Sequence, residues 1–281
     1  MPPAERAPDW PAGVSLVRRR FVDGPYGQLH LRETKLAASG SLPLICLHMS
    51  PKSGADFAAL LEQTGRRRKC VAPDYPGHGE SDPPSAEPPV RIEDYAAACW
   101  RAVAAVGLDE VALFGTHTGT EVAAEMAMQR PGAVRRIVML GAPVLSDAEV
   151  EAFAEAFEPV PLDREGTRFR DVWQQVVRRA GADMTLPMMA ASFLESLRGG
   201  EGYEWGHRAA FAYVPRFREV LPELPMPVDL VNAADDLHEA TERALPLLKN
   251  GRLVDRPDWG HGVLRARPGE VAALLDSLLD G

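Results

Sequence analysis

Gly115-Thr116-His117-Thr118-Gly119 follows the run Glu110-Val111-Ala112-Leu113-Phe114 and precedes an alanine-rich stretch of helical spacing. Read as strand, sharp turn and helix, it has the layout of the G-x-S-x-G elbow, in which glycines let the backbone take a strained turn that lifts one side chain above a sheet. The lifted residue is the middle one. Here that residue is His117, where the pattern would put serine. The stretch therefore says where chemistry is expected and leaves the reaction open.

On both sides of this stretch, short apolar runs alternate with helical spacing. Leu42-Pro43-Leu44-Ile45-Cys46-Leu47-His48, Cys70-Val71-Ala72-Pro73, Val134-Arg135-Arg136-Ile137-Val138-Met139-Leu140 and Val228-Asp229-Leu230-Val231-Asn232 suit strands covered on both faces. A shorter strand is expected at Arg252-Leu253-Val254. Helical periodicity joins Phe57, Leu60 and Leu61, then Tyr95, Ala98, Cys99, Ala102 and Val106, and recurs over residues 121–129, 240–248 and 268–279. Val14-Ser15-Leu16-Val17, Arg20-Phe21-Val22, the turn Asp23-Gly24-Pro25-Tyr26-Gly27 and alternating Gln28-Leu29-His30-Leu31-Arg32 predict an opening antiparallel hairpin.

The expected fold class is α/β, a mostly parallel central sheet flanked by helices. From Ser146 to Leu224 no buried strand is found, and four amphipathic patterns succeed one another: Ala148 to Phe157, Arg168 to Arg179, Pro187 to Leu197 and Tyr203 to Val220. They predict a helical lid at residues 146–224, inserted after the sixth strand into a core made of residues 1–145 and 225–281.

Composition narrows the class. With 281 residues, 46% of them hydrophobic, the chain can bury one large core and carry a small lid. A formal net charge of −9 argues against a nucleic-acid partner, and Arg66-Arg67-Arg68-Lys69 reads as a solvated helix end. Cys46, Cys70 and Cys99 show no C-x-x-C spacing; they read as buried free thiols, and a cytoplasmic location is expected. Residues 1–10 contain no apolar segment, and no run approaches the roughly 20 apolar residues of a membrane span. Neither a membrane nor a dissociable cofactor is expected, since no Walker or dinucleotide pattern is present.

Laid side by side, these pieces resemble the α/β-hydrolase superfamily of the helical-cap type over almost the whole chain. His48-Met49 stands where that family has His-Gly after its third strand, and Asp74-Tyr75-Pro76-Gly77-His78-Gly79-Glu80-Ser81-Asp82 matches its D-x-P-G-x-G-x-S-D loop. The elbow follows, then Ala233-Ala234-Asp235-Asp236 at the family's catalytic acid and Trp259-Gly260-His261-Gly262 at its catalytic histidine. The resemblance implies His261 as base and Asp236 as the acid that orients it, with Asp235 and, after the sixth strand, Asp147 as competing acids. It also implies an oxyanion hole from backbone N–H groups of Met49, Ser50 and Thr118.

His117 departs from the family where the nucleophile stands. Its imidazole faces a second imidazole, and two charged rings in contact repel, so at most one is expected to be protonated near neutrality. Four readings remain open: direct attack to give an acyl-imidazole, proton transfer with His261 on water or an enolisable substrate, a metal held by His48, His117 and His261, and a pocket used only for binding. Of these, hydrolysis of an ester, thioester or activated C–C bond in a small hydrophobic carbonyl compound leads, without a metal. Cofactor-free lyase or isomerase chemistry and simple binding are the alternatives, and a homodimer is left open. Ser50 and Cys46 are secondary candidate nucleophiles. His48, Met189, Phe193, Trp205, His207 and Trp259 are the expected pocket residues. His78 reads as a supporting surface histidine, and Arg208 and Arg216 as solvated residues within reach of a substrate carboxylate.

Overall fold

The computed structural model describes residues 15–35, 41–84, 90–158, 160–200 and 204–280. Val14 of the expected first strand, Tyr203 of the fourth lid pattern and the N-terminal ten residues lie outside them. Among the described residues, eight strands form one sheet: β1 (Val17–Asp23), β2 (Gln28–Thr34), β3 (Leu44–Leu47), β4 (Cys70–Pro73), β5 (Val111–Thr116), β6 (Val134–Leu140), β7 (Val228–Ala233) and β8 (Gly251–Arg256). Their spatial order is β1-β2-β4-β3-β5-β6-β7-β8. The opening hairpin is antiparallel, with Val17 opposite Thr34 and Asp23 opposite Gln28, and β2 pairs antiparallel to β4. Every pair from β4 through β3 to β8 is parallel.

The near-continuous apolar strands follow from burial on both faces, because side chains alternate across the sheet. Ile45, Leu47, Leu113, Ile137, Met139 and Leu230 point to the face covered by α2 (Ile92–Ala105), α3 (Thr118–Gln129) and α7 (Trp205–Val220). Leu44, Cys46, Phe114, Val138, Leu140 and Val231 point to the other, covered by α1 (Ala58–Thr64), the single turn α9 (Val263–Ala266) and α10 (Pro268–Leu279). All three cysteines are free and buried. Arg68 departs from the solvated reading of its cluster. Its side chain is fully buried, donates to the Leu42 carbonyl at 3.1 Å and pairs with Asp280 at 2.6 Å and Asp276 at 3.3 Å, which ties the end of α1 to α10.

Between β6 and β7 lie α4 (Asp147–Ala156), α5 (Thr167–Arg179), α6 (Leu186–Leu197) and α7, within two residues of the bounds expected from periodicity. Ser146 caps α4, accepting from Glu149 N–H, while the Glu149 carboxylate accepts from Ser146 N–H. Asp147, at the first position of that helix, pairs with Arg218 and is exposed, away from the centre of the molecule. Between β7 and β8 lie α8 (His238–Ala244) and a short 3-10 turn, Leu245–Leu247. Among the described residues no helix is long and apolar enough to cross a membrane.

The D-x-P-G-x-G-x-S-D loop is built around Asp74. One carboxylate oxygen accepts from Gly54 N–H at 2.8 Å; the other accepts from His30 Nδ1–H at 2.8 Å and Glu80 N–H at 2.9 Å. His78 is buried rather than at the surface, edge-on to Tyr75 and Tyr95.

The crossing of β3 by α3 leaves no room for a side chain at Gly119, where a Cβ would collide with the Leu47 carbonyl oxygen. Gly119→Ala is expected to cost about 3 kcal/mol, the upper end for overpacking, because the obstacle is backbone. Urea unfolding that shows a loss under ~0.5 kcal/mol, the range of a neutral surface change, would contradict this packing.

Candidate active site

His117 is the only non-glycine residue with positive φ among those described, at φ 46° and ψ −114°. Such a conformation costs on the order of 1–3 kcal/mol and persists where its surroundings over-determine it. Here the surroundings are specific. His117 N–H donates to Leu140 C=O at 2.9 Å, and its carbonyl accepts from Thr120 N–H at 2.8 Å and Thr120 Oγ1 at 2.7 Å. Gly141, just beyond β6, makes space for the ring, since a Cβ there would lie 2.7 Å from His117 Cδ2 and 2.9 Å from Nε2.

The ring is held by a carboxylate of its own. His117 Nε2–H donates to Asp235 Oδ2 at 3.0 Å, while Asp235 Oδ1 accepts from Leu237 N–H at 2.9 Å. Beside it, His261 Nε2–H donates to Asp236 Oδ1 at 2.8 Å. The two imidazoles are 5.1 Å apart between centroids and tilted by 54°. Adjacent aspartates after β7 thus serve different histidines. Asp235, which sequence reasoning weighed only as a rival for His261, belongs to the elbow residue instead. The loops are joined by Ala234 N–H donating to Trp259 C=O at 2.8 Å.

Burial acts to lower the His117 pKa, but Asp235, with help from Asp236, outweighs it and raises the value above the usual 6.5. Burial likewise acts to raise Asp235 and Asp236, and the histidine partners outweigh it, so both carboxyls stay below their ordinary value. The pair His117–Asp235 is therefore most stable as imidazolium and carboxylate. Its stabilising contribution is present below pH 6.5 and lost as pH rises through the elevated His117 pKa.

A cavity of about 160 Å³ opens over this pair of rings. His117, His261 and Asp236 line it, with Met49, Ser50, Thr118 and His207. Thr118 is the first residue of α3, so its N–H has no acceptor within the helix. Ser50 N–H donates to Thr118 Oγ1 at 3.4 Å, which brings the backbone of Ser50 and Thr118 to the same end of the cavity. His207 is buried, and burial lowers its pKa to about 3, so it is neutral. The rest of the wall is largely apolar, with Leu145, Phe153, Phe157, Val214 and Met184 among its members.

Five expected pocket residues lie elsewhere. His48 is stacked on Tyr75 beneath the cavity floor, its Nδ1–H donating to Met49 C=O at 2.9 Å and its Nε2 accepting from Tyr75 N–H at 3.2 Å. Burial lowers its pKa to about 3. With both nitrogens engaged it cannot join a three-histidine metal set. Trp259 is packed into the core beside α10 under the Arg256 guanidinium, Trp205 packs against the opposite core, Phe193 stands edge-on to Trp173, and Met189 is half-buried on α6 outside the cavity wall. Arg208 is exposed and Arg216 pairs with Glu219; neither reaches the cavity. Cys46 is buried in β3, and burial pushes its thiol far from the reactive thiolate.

Several polar wall residues were not singled out by sequence: Lys52, Asp56, Glu121, Gln175, Arg179 and Arg265. Arg179 of α5 lies over the Phe157 ring at 4.7 Å and 3.8 Å from Asp236. Lys52 donates to Ser192 Oγ at 2.8 Å across to α6, where Ser53 also bonds Glu195. As a possible metal set, His117, Asp235 and His261 present ligand atoms within 4.8 Å of one another. A cation there would have to displace the proton that now links His117 to Asp235.

A sheet of this strand order, a histidine on the strained turn after β5 and two histidine–aspartate pairs under a helical insertion define a hydrolase-type α/β site. The family follows: residues 43–264 match the alpha/beta hydrolase fold, and the chain belongs to that family. It is similar to a non-heme haloperoxidase of Rhodococcus erythropolis, 26% identical over 256 residues, covering 85% of this chain and 92% of that protein. A non-heme chloroperoxidase of Burkholderia pyrrocinia is 26% identical over 242 residues, 79% of this chain and 86% of the other. Among solved structures, a thermophilic esterase from Thermogutta terrifontis superposes with a TM-score of 0.77 at 19% identity, covering 94% and 98% of the two chains.

Because Gly141 is the space into which the His117 ring turns, Gly141→Ala is expected to push Nε2 off Asp235. The histidine ring resonances assigned to His117 should lose their carboxylate-bonded signature while His261 keeps its own. An unchanged His117 spectrum in that variant would show that the ring does not rest on Gly141.

Proposed function

We propose that this chain is a hydrolase that cleaves an ester, thioester or activated C–C bond of a hydrophobic carbonyl compound by paired acid–base catalysis. The observation that carries the reading is that each imidazole has its own carboxylate, at 3.0 Å for His117 and 2.8 Å for His261. His261, oriented by Asp236, takes a proton from water as the water oxygen adds to the carbonyl carbon. His117, whose raised pKa favours the imidazolium, delivers a proton to the departing atom as its bond to carbon breaks. Both Nε2 atoms are engaged by carboxylates, so both transfers use Nδ1. Backbone N–H groups of Met49 and Thr118 serve the developing oxyanion, joined by Ser50 N–H once it leaves Thr118 Oγ1, and aided by the N-terminus of α3.

The pairing also weighs against direct attack by His117. A nucleophilic imidazole must be neutral, and Asp235 favours its charged form. Without water in the reacting position, the same two rings would move a proton on an enolisable ketone, and the lack of a hydroxyl or carboxylate at residue 117 favours that second reading. Residues 146–224 are read as a lid, since α5 and α7 supply Arg179, Phe211 and Val214 to the cavity wall. The free, buried cysteines support a cytoplasmic location, and the acidic charge supports a small molecule rather than a nucleic acid as partner.

Alkyl and p-nitrophenyl esters of one short acid separate the mechanisms. His261→Ala is expected to lower kcat/KM for both by roughly 10²–10⁴-fold, the usual worth of a general base. His117→Ala should lower it by a similar factor for the alkyl ester and far less for the nitrophenyl ester, whose leaving group needs no proton. Equal losses for both esters would instead identify His117 as the nucleophile.

The pH profile gives an independent check. As an acid, His117 must be protonated, so activity should fall as pH rises through a pKa above 6.5. Asp235→Asn removes the main raising influence, and the alkaline limb should move to lower pH. Movement of the acid limb instead, with activity gained at low pH, would mean that His117 acts in its neutral form.

A further inference from the structure

The cavity wall contains a carboxyl group that the acid–base scheme does not use. Glu121 lies in the first turn of α3, four residues after His117, and its side chain is fully buried. It belongs to the wall of the cavity, yet neither Oε1 nor Oε2 has a hydrogen-bond partner among the described residues. Leaving a buried polar group unpaired is costly, and natural cores rarely tolerate it without a reason. The next glutamate along the helix shows the contrast, since Glu125 accepts from Tyr213 OH at 2.7 Å.

We propose that Glu121 is a substrate-binding residue whose neutral carboxylic acid donates its O–H to a second oxygen on the substrate, such as a ketone carbonyl. Burial pushes the Glu121 carboxyl far above the ordinary carboxylate range, and among the described residues no hydrogen bond to either oxygen offsets it. It therefore has a proton to give. Four residues separate it from His117, a rise of ~6 Å along the helix, comparable to the span of a chain with three methylenes between two carbonyl groups. The pocket then suits an apolar chain with an oxygen function at each end, one facing the two histidines and the other facing Glu121. This assignment rests on the hydrolytic reading only for which carbonyl reacts; the binding preference itself requires no turnover.

Calorimetric binding of three probes that carry no hydrolysable bond tests it: an acyclic diketone with three methylenes between its carbonyls, the mono-ketone lacking the second oxygen, and the alkylammonium of equal length. The wild type is expected to bind the diketone about tenfold more tightly than the mono-ketone, the worth of one well-shielded hydrogen bond. Glu121→Leu should abolish that preference, and Glu121→Gln, whose amide N–H can still donate, should keep part of it. Infrared spectra of the wild type should show a protonated-carboxyl band that Glu121→Gln removes and that the diketone shifts to lower frequency.

Equal binding of the two ketones, failure of the diketone to bind, or tighter binding of the alkylammonium would each overturn the proposal, the last by showing an ionised carboxylate. An intact diketone preference in a protein that hydrolyses no ester would leave the Glu121 assignment standing and count against the hydrolytic reading alone.

Discussion

The strained backbone at His117 is the constraint on which the site depends. Its φ of 46° is enforced by hydrogen bonds to Leu140 and from Thr120, and it is reached only because α3 packs against the end of β3 with no side chain at Gly119. That turn fixes three things together: the direction of the imidazole, the first free N–H of α3, and the placement of Glu121 one turn further along. Each is a consequence of backbone geometry, so the chemistry at residue 117 can change while the platform beneath it stays.

The second constraint is the pair of adjacent aspartates. Neighbouring residues in an extended or turning segment point in different directions, and here one carboxylate faces the turn after β5 while the other faces the loop that carries His261. The result is two separate imidazole–carboxylate units whose rings lie 5.1 Å apart. Such units can hold different protonation states, which is the requirement for an acid and a base to act on one substrate. A single hydroxyl at residue 117 would have needed only one of them.

Much of the fold was legible because burial leaves a clear mark on sequence. Ile45 and Leu47 face one layer while Leu44 and Cys46 face the other, so the run reads as a two-sided strand without knowledge of its neighbours. The helices inserted between β6 and β7 were legible from periodicity for the same reason. Their orientation was not: Phe193, Trp205 and Met189 are large and apolar, but Trp205 packs α7 onto the core, Phe193 meets Trp173, and α5 supplies Val172 and Val176 to the cavity instead. The split between Asp235 and Asp236 was invisible because both occupy the same motif and only the turn decides which way each points. Glu121 gave no signal either, since a glutamate in the first turn of a helix is ordinary until the packing around it is known.

The protonation state of the elbow imidazole decides whether His117 acts as an acid. Nitrogen-15 NMR of the histidine rings, titrated across neutral pH, reports tautomer and protonation for His117 directly. The result required is a neutral form protonated on Nε2 and a midpoint above 6.5 that falls in Asp235→Asn. A neutral form protonated on Nδ1, or a midpoint below 6.5 unaffected by Asp235→Asn, would contradict the paired-dyad account.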